Sequence, residues 1–308
     1  MIENTRRTCV LLSSYNGEKY LAEQIDSLLH QEGIILNVII RDDGSTDNTI
    51  GIIQKYVEKY PSLINLISSN GNVGVSRSFI LLLKYAFSMK FDYYFFCDQD
   101  DFWKPDKCRR AIERIQHIQG DALYFSRKTI VDSKLDPTGA KDLIEFSGTF
   151  WDSFGYSNVS GCTMCFNNTL AEKLVLNDFI EKRYLHDAFL YRMAIAVNAM
   201  LVYDDYETIF YRQHSNNVVG AKAKRGIREL TKRNTIKTRK HYIQEMFRDI
   251  LLLYPAFIPG KNHDIINMIE YYDKVPLIKL RLISTVQHSD CPKDIKKRMI
   301  AKTILNIL

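Results

Sequence analysis

The chain has 308 residues, of which 46% are hydrophobic and 25% are charged. This is the composition of a globular protein, and it excludes a disordered chain, a collagen and a coiled-coil rod. The length suits one large domain, or one domain with an appendage. No apolar run approaches the roughly 20 residues of a membrane-spanning helix, and the N-terminal run is too short for a signal peptide. The sequence therefore predicts a cytoplasmic protein that meets membranes only from the surface.

Positive charge is concentrated in one segment. The whole chain carries +6, from 42 Lys and Arg against 36 Asp and Glu. Residues 221–240 hold nine basic residues and one acid, so this segment carries +8 and the rest of the chain −2. Such a segment is either a solvated helix face or a contact for anionic phospholipid or another polyanion. It lacks the interleaved aromatic residues of a nucleic-acid platform, so docking on a membrane surface or a partner is preferred.

The six cysteines predict reduced, buried thiols, because most of them lie in apolar stretches. Cys162 and Cys165 have the spacing of a zinc motif, but no second pair of ligands accompanies them. Core packing is therefore the preferred interpretation of this pair.

The first half of the chain alternates strand-like and helix-like patterns. Apolar runs predict strands over residues 8–14, 34–40, 63–67 and 91–97. Helical spacing of apolar residues predicts helices over 18–30, from Asp47 to about residue 60, over 75–89 and over 105–117. The alternation predicts an α/β fold, a largely parallel sheet with helices on both faces.

The second half is less regular. Strands are expected over 124–131, 159–166 and 208–214, and a helix over 185–197. From residue 222 onwards the pattern is helical, with an apolar face over 243–251 and a last helix that starts at Pro292. Neither a repeat nor a low-complexity segment interrupts it.

Polar clusters follow the four predicted strands of the first half, where parallel sheets bind their ligands. These clusters are residues 13–16, 42–43, 70–72 and 98–101. Because parallel strands end at the same edge of a sheet, we expect the four clusters to form one site.

The cluster at 98–101 carries the strongest chemical signal. Asp98, Asp100 and Asp101 follow an apolar strand, and in an extended chain Asp98 and Asp100 point to the same side. Carboxylate oxygens so placed suit Mg²⁺ or Mn²⁺ bound together with the phosphates of a substrate. The alternative is a loop with a helix cap. Three close carboxylates without a cation would repel one another, so the metal site is preferred.

A second acidic pair, Asp42 and Asp43, suits hydrogen bonds to a nucleobase N–H or to ribose hydroxyls. Tyr15, on the neighbouring loop, is placed to stack on a base. Alone, these residues would be an ordinary turn and an ordinary loop tyrosine. Neither GxGxxG nor GxxxxGK[ST] occurs, which disfavours a dinucleotide dehydrogenase and a P-loop NTPase.

Two further groups lie in the second half. Asp187, which follows His186 at a predicted helix start, is either a general base or a helix cap. His214 is either a metal ligand or a structural histidine, and Arg212 is placed to face phosphate.

Together these motifs resemble family 2 glycosyltransferases of the GT-A fold, most closely the bacterial branch that builds surface polysaccharides and includes rhamnosyltransferases. The matching motifs are SYNG at 14–17, DDGSTD at 42–47, NxGxxxS at 72–78, DQDDFWxPDK at 98–107, HD at 186–187 and YRQHxxN at 211–217. The resemblance covers about residues 8–220. It implies a Rossmann-like GT-A domain over 1–220 and a basic, helical C-terminal extension over 221–308.

The resemblance also implies an activity. An inverting enzyme of this family moves a sugar from a nucleoside diphosphate donor to a saccharide or lipid-linked saccharide acceptor. UDP- and dTDP-sugars, dTDP-rhamnose among them, are the candidate donors, and capsule, O-antigen or wall polysaccharide is the candidate product.

Site roles follow from the same resemblance, position by position. Residues implied for donor binding are Tyr15, Asn16, Asp42, Asp43, Arg77, Asp98 and Asp100. Asp100, Asp101 and His214 are implied as ligands of Mn²⁺ or Mg²⁺. Asp187 is implied as the catalytic base. The residues implied on the acceptor side are Trp103, His186 and Arg212. The residue before the base is often Glu in the family, whereas here it is His186, as is usual in the branch named above.

Two other functions stay open at this point. A sugar-nucleotide pyrophosphorylase also combines an α/β sheet with acidic metal ligands, but it carries a Gly-rich, basic loop after its first strand that residues 13–19 do not resemble. A non-catalytic carbohydrate-binding or scaffold protein would not need the full set of carboxylates.

Overall fold

The computed structural model describes residues 7–67, 69, 71–154, 159–176, 184–214 and 242–306. The chain divides into two compact units. Unit 1 consists of Met1–Leu143, Asn158–Ala194 and Ala199–Arg212, and unit 2 of Ile144–Ser157, Ile195–Asn198 and Gln213–Leu308. The basic segment 221–240 and the predicted domain boundary at 220 lie outside the described residues, so that boundary stays a prediction.

Unit 1 is built on an eight-stranded sheet, counted over the described part of the chain. Its strands are β1 (Thr8–Ser14), β2 (Leu36–Asp42), β3 (Ile64–Ile67), β4 (Tyr93–Cys97), β5 (Phe102–Trp103), β6 (Ala122–Val131), β7 (Met164–Asn167) and β8 (Met200–Arg212). Their order across the sheet is β3-β2-β1-β4-β7-β6-β8-β5.

The sheet is mostly parallel, as predicted. β3, β2, β1 and β4 pair in parallel, and so do β6 and β8, while β7 runs antiparallel to β4 and β6, and β5 antiparallel to β8. In the register, Leu12 lies opposite both Ile40 and Cys97, and Ser14 lies opposite Asp42. The carboxyl ends of β1, β2 and β4 therefore meet at one edge, where the polar clusters begin.

Helices of unit 1 pack on both faces of this sheet because its strands are apolar on both sides. They are α1 (Leu21–Leu29), α2 (Thr49–Lys59), α3 (Val75–Ser88), α4 (Lys107–Ile115), α5 (Asn168–Val175) and α6 (His186–Ala196). On one face, Val10 and Leu12 join a buried cluster with Leu21 and Ile25 of α1. On the other, the ring of Phe96 lies 5.1 Å from that of Phe79 in α3. Each such fully buried side chain contributes about 2 kcal/mol.

Unit 2 is helical in its described part. Its helices are α7 (Tyr242–Leu253), α8 (Gly260–Tyr271), α9 (Pro276–Gln287) and α10 (Lys293–Ile304). Phe247 of α7 packs its ring 5.3 Å from Phe150 and 5.7 Å from Phe154. The predicted apolar face over 243–251 and the helix after Pro292 are thus confirmed. In the described ranges, no helix combines the length and hydropathy required to cross a bilayer.

Three local predictions were wrong. Residues 161–163 form a 3₁₀ turn ahead of β7 rather than strand, and a short strand, β5, was not predicted. β8 starts at Met200, eight residues before the predicted start at 208. The first half of β8 was missed because it contains two adjacent acidic residues, Asp204 and Asp205, which are unusual in a buried strand. In the structure Asp204 is buried and accepts hydrogen bonds from Arg110 and Tyr124.

Candidate active site

The loops after β1, β2 and β4 are tied to one another. Gln99 accepts a hydrogen bond from Tyr15 N–H at 2.7 Å and donates one to the Tyr15 carbonyl at 2.9 Å. Asn16 binds the next loop, its N–H donating to Ser45 Oγ and its side chain accepting from Thr46 N–H, each at 2.8 Å. The loops after these three strands therefore meet at one edge of the sheet, and their use as one site stays a prediction. The Tyr15 side chain remains 48% exposed.

Asp42 and Asp43 are almost fully buried and already accept several hydrogen bonds. Asp42 accepts from the N–H groups of Gly44 and Ser45, at 3.0 and 2.8 Å, and from two serine hydroxyls. Asp43 pairs with Arg41 at 2.5 Å. These contacts fix the loop after β2, and the donor-binding roles of both residues stay predictions.

Asp43 also fixes the start of α3. Its two carboxylate oxygens accept from the N–H groups of Val73 and Gly74, each at 2.8 Å, directly before that helix. Arg77 lies exposed in the first turn of α3. The Asp43 contacts thus position the turn that carries Arg77, whose role toward diphosphate stays a prediction.

The carboxylates after β4 differ in exposure. Asp98 and Asp100 are half-buried, whereas Asp101 is fully buried. One Asp101 oxygen accepts from Arg212 N–H at 3.1 Å, and the other, Oδ2, has no N–H or O–H donor among the described residues. A buried carboxylate oxygen without a donor is costly, so something positive is expected to face it.

Burial and mutual repulsion disfavour the charged forms of this group. Burial, followed by the charges of Asp100 and Asp187, raises the pKa of Asp98 to about 7, and the nearby Lys128 acts in the opposite direction. Burial, followed by the charges of Asp100 and Asp98, raises the pKa of Asp101 well above its ordinary range. A divalent cation would relieve this repulsion, and oxygen ligands suit Mg²⁺ and Mn²⁺, so the residues present fit the predicted ion.

The structure also brings a thiol to these carboxylates. Ligand atoms of Asp98, Asp101 and Cys162 all lie within 4.8 Å of one another. Cys162 is 1% exposed and stands in the 3₁₀ turn Gly161–Thr163. Sequence reasoning assigned Cys162 to the core together with Cys165, because neighbours as distant in sequence as Asp98 and Asp101 leave no local signal.

Asp187 lies in the first turn of α6, where the helix dipole favours a negative charge. Its Oδ2 accepts from Gly161 N–H at 3.0 Å. Its charge contributes to the raised pKa of Asp98, so the two carboxylates lie within electrostatic range of one another. The predicted base and the predicted donor-binding loop are therefore brought together.

His186 is buried beside that base. Its ring stacks on Phe79 at 4.0 Å and meets Phe96 edge-on at 4.7 Å, and burial lowers its pKa to about 4. Neither ring nitrogen has a hydrogen-bond partner in the described part of the chain. A neutral, unpaired imidazole at this position supports the packing of α6 on α3.

The three residues predicted for the acceptor side are all buried. His186 is 6% exposed, and Trp103 and Arg212 are each 1% exposed. Trp103 belongs to the apolar core, 4.6 Å from the Lys107 ammonium. Their positions therefore do not support contact with an acceptor, because each would have to leave its packing to reach one.

Arg212 instead forms hydrogen bonds that hold the acidic loop, residues 98–101, in place. Its Nε donates to the Asp100 carbonyl at 2.9 Å, and its Nη atoms donate to the Ser133 carbonyl and to the Glu23 carboxylate, at 2.7 and 2.5 Å. These bonds hold the end of β8 against the loop after β4. His214, two residues further on, belongs to unit 2, and its role as a metal ligand stays a prediction.

Comparison with known proteins agrees with this geometry. The sequence model described as Glycosyl transferase family 2 matches residues 9–175, more than half of the chain. A dTDP-rhamnosyl transferase, RfbG of Shigella flexneri, is 36% identical over 221 residues, which cover 68% of this chain and 74% of that protein.

Solved structures share the fold at low sequence identity. TarS 1–349 of S. aureus, in complex with UDP-GlcNAc, has a TM-score of 0.60 and 17% identity, covering 98% of this chain and 82% of that one. The mannosyltransferase PcManGT from Pyrobaculum calidifontis, in complex with GDP-Man and Mn²⁺, has a TM-score of 0.53 and 16% identity, covering 99% and 87%. The sheet, the acidic loop and the family match agree: the chain is a glycosyltransferase and belongs to glycosyl transferase family 2.

Proposed function

We propose that this glycosyltransferase moves rhamnose from dTDP-rhamnose, with inversion, to a saccharide acceptor in bacterial surface polysaccharide synthesis. The observation that carries the chemistry is that Gly161 N–H binds Asp187 while its neighbour Cys162 lies within 4.8 Å of Asp98, in the loop that is tied to Tyr15 through Gln99. The choice of donor is supported by the similarity to a dTDP-rhamnosyl transferase.

In this proposal the donor lies across the loops after β1, β2 and β4. Tyr15 stacks on the thymine, because half of its side chain is free while its backbone is held by Gln99. Asp98 and Asp100 accept hydrogen bonds from the deoxyribose and orient the diphosphate. Asn16, Asp42 and Asp43 keep the loops in place, and Arg77 approaches the diphosphate from the start of α3.

Asp187 then acts as the general base. It takes the proton of the acceptor hydroxyl, whose oxygen attacks the anomeric carbon from the side opposite the leaving diphosphate. Gly161 N–H holds the carboxylate in one orientation during this transfer. A bound Mn²⁺ or Mg²⁺, held by Asp100 and Asp101, would supply positive charge to the departing diphosphate.

The acceptor is proposed to be lipid-linked, which places the reaction at the cytoplasmic face of the membrane. The support is the +8 charge of segment 221–240, part of the proposed extension 221–308. A basic segment of this kind is attracted to anionic lipid. The GT-A domain proposed over 1–220 would then carry the chemistry.

Thermal unfolding with nucleotides tests the donor site directly. The protein is heated with dTDP, UDP, GDP or CDP, each with and without Mg²⁺ or Mn²⁺. We expect dTDP to stabilise only with metal, by about 2.7 kcal/mol at 100 times its dissociation constant. Tyr15→Ala should lose about 1 kcal/mol or more of this effect. Tyr85→Ala, an equally exposed tyrosine at 47% on α3, should not.

Turnover distinguishes this function from the alternatives. dTDP-rhamnose and a saccharide acceptor should give dTDP and a product of inverted anomeric configuration. Pyrophosphate release from dTTP and rhamnose 1-phosphate would instead indicate a pyrophosphorylase, and saccharide binding without turnover of any nucleotide sugar a non-catalytic role. Stabilisation by UDP and not by dTDP would contradict the proposed base.

A further inference from the structure

A cysteine sulfur lies beside the carboxylates of the acidic loop, although Mg²⁺ and Mn²⁺ are usually bound by oxygen ligands. The Cys162 sulfur and oxygens of Asp98 and Asp101 form a group within 4.8 Å. Metal–oxygen bonds of about 2.1 Å and metal–sulfur bonds of about 2.3 Å allow ligand atoms of one ion to lie at most about 4.4 Å apart. The three atoms would therefore need to draw together by no more than a few tenths of an ångström to bind a single ion.

An unpaired oxygen points to a ligand at this group. Asp101 is fully buried, and its Oδ1 is used by Arg212 N–H, while Oδ2 lacks a hydrogen-bond partner in the part of the chain that the structure describes. The nearby Lys107 does not satisfy it, because that ammonium donates to the Cys162 carbonyl at 2.9 Å and to Thr208 Oγ1 at 3.4 Å.

The backbone around Cys162 is fixed on both sides. Gly161 N–H donates to Asp187, the Cys162 carbonyl accepts from Lys107, and Thr163 N–H donates to the Ser160 carbonyl at 2.9 Å. A side chain on such a turn has little freedom, so its sulfur is held beside the carboxylates. Cys165, three residues later, lies instead in β7 opposite Phe95 and Tyr124.

We propose that Cys162 supplies a sulfur ligand to the metal site, so that the site binds one cation through two carboxylates and one thiolate. On binding, the sulfur–metal bond forms and the thiol proton leaves to solvent. The inference rests on the metal requirement of the proposed function, but it places the ion on Asp98, Asp101 and Cys162, a set that shares only Asp101 with the ligands proposed above.

A sulfur ligand changes which cations the site prefers. Carboxylates alone suit Mg²⁺, Ca²⁺ and Mn²⁺, whereas thiolate favours softer ions such as Zn²⁺ and Cd²⁺. The enzyme would therefore accept Mn²⁺ for turnover and hold Zn²⁺ or Cd²⁺ more tightly than an all-oxygen site does. These soft ions would compete with Mn²⁺ at the same place.

The test uses Cd²⁺ as the probe, because a cadmium–thiolate bond gives an ultraviolet charge-transfer band. The full chain, Cys162→Ser and Cys165→Ser are titrated with Cd²⁺ under reducing conditions. We expect the band in the unaltered protein and in Cys165→Ser, and its loss in Cys162→Ser. Calorimetry should show a Cd²⁺ dissociation constant at least about 10-fold higher in Cys162→Ser, with Mg²⁺ affinity changed much less.

Three outcomes would overturn the proposal: calorimetric binding of Cd²⁺ without the band, a band that persists in Cys162→Ser, or no Cd²⁺ binding to the unaltered protein. Cys162→Ala provides a second variant if the serine unfolds the turn, and near-ultraviolet circular dichroism checks each fold. If dTDP stabilises the protein with Mg²⁺ while no band appears, the sulfur ligand is wrong and the proposed function stands. If Mg²⁺ does not enable stabilisation by dTDP and Cd²⁺ does not bind, both the sulfur ligand and the proposed function are wrong.

Discussion

Asp187 lies in the first turn of α6 and is proposed to act as the base. The N–H groups of Gly161 and Ala188 donate to its two carboxylate oxygens, at 3.0 and 2.7 Å. These bonds orient the carboxylate without consuming its charge. A place in the first turn of α6 therefore does not exclude the proposed role of accepting a proton from a hydroxyl.

Replacing Asp187 with Asn separates these two roles. Asn keeps an oxygen for Gly161 N–H, so the fold and nucleotide binding should persist. Turnover should fall about 100- to 10 000-fold, because the amide cannot take the proton. Steady-state transfer kinetics and thermal shifts with dTDP measure the two effects. Asp205→Asn, a 75% exposed carboxylate on β8, is the control and should leave both unchanged. Normal turnover of Asp187→Asn would remove it from the mechanism.

His186 makes folding stability depend on pH. Its pKa is about 4 in the folded protein and 6.5 in the unfolded chain. Below pH 6.5 the unfolded chain binds a proton that the folded protein does not, so stability is lost as pH falls towards 4. Below that value both states are protonated and the loss stops growing.

We expect His186 to lower the free energy of unfolding by about 2 kcal/mol between pH 7.5 and pH 5. Each pH unit below 6.5 contributes about 1.36 kcal/mol of this loss. His186→Phe keeps the ring between Phe79 and Phe96 and cannot titrate, so it should lack this part of the loss. Urea unfolding of both proteins at the two pH values measures it. Equal losses in both would contradict the buried, neutral state of His186.

Sequence patterns identified the acidic residues of the candidate site but not how deeply each of them is buried. Asp98, Asp101 and Asp187 were recognisable because carboxylates directly follow an apolar strand or begin a helix. Cys162 and Gln99 were not, since their partners are distant in sequence: Gln99 binds the backbone of Tyr15. Burial of Trp103 was also missed, because an aromatic side chain beside a polar loop is compatible with either surface or core.

At the scale of elements, β8 connects the sheet to α4 and to the acidic loop. Asp204 is 3% exposed and accepts from Arg110 Nε at 2.5 Å and from the Tyr124 hydroxyl at 2.9 Å. Eight residues further on, Arg212 donates to the Asp100 carbonyl and to the Asp101 carboxylate. One strand thus carries both a structural and a site-supporting contact.

Asp204→Ala should destabilise the protein by about 3 kcal/mol, because it leaves a buried tyrosine hydroxyl and part of an arginine without an acceptor. Asp205→Ala is the matched control on the same strand. Its partner Arg127 lies 3.2 Å away near the surface, so its removal should cost less than about 1 kcal/mol. Chemical unfolding curves measure both. Equal costs would show that the Asp204 pairs contribute no more than a surface pair.

Elements with clear periodicity were predictable, and those defined by distant partners were not. β1 and α3 follow from apolar runs with the right spacing, and their bounds agree with the prediction within one residue. β5 has only two residues and exists because Phe102 and Trp103 pair with Phe210 and Ile209 of β8. No pattern in its own sequence indicates such a strand.

On the scale of the whole molecule, charge and chemistry are separated along the chain. The described site residues of unit 1 lie between Tyr15 and Arg212, whereas the +8 segment follows at 221–240. In sequence, the segment proposed for surface attachment is therefore distinct from the residues proposed to bind the donor.

We expect the protein to co-sediment with phosphatidylglycerol vesicles at low salt and to be released at high salt, since each Lys or Arg near an anionic surface contributes about 1 kcal/mol. Replacing Lys232, Arg233, Lys237 and Arg239 together with Gln should reduce the bound fraction strongly. Phosphatidylcholine vesicles are the control. Binding that does not depend on anionic lipid would contradict the electrostatic attachment.

The pairing of β6 with β8 has a consequence for how the chain folds. Asp101 and Arg212 meet across 111 residues, and β7 must insert between β4 and β6 before the sheet is continuous. Contacts so distant in sequence form slowly, and until β8 arrives, β6 has an open edge able to pair with other molecules. A chain shortened after residue 175, although it keeps the segment matched by the family, should therefore aggregate during synthesis.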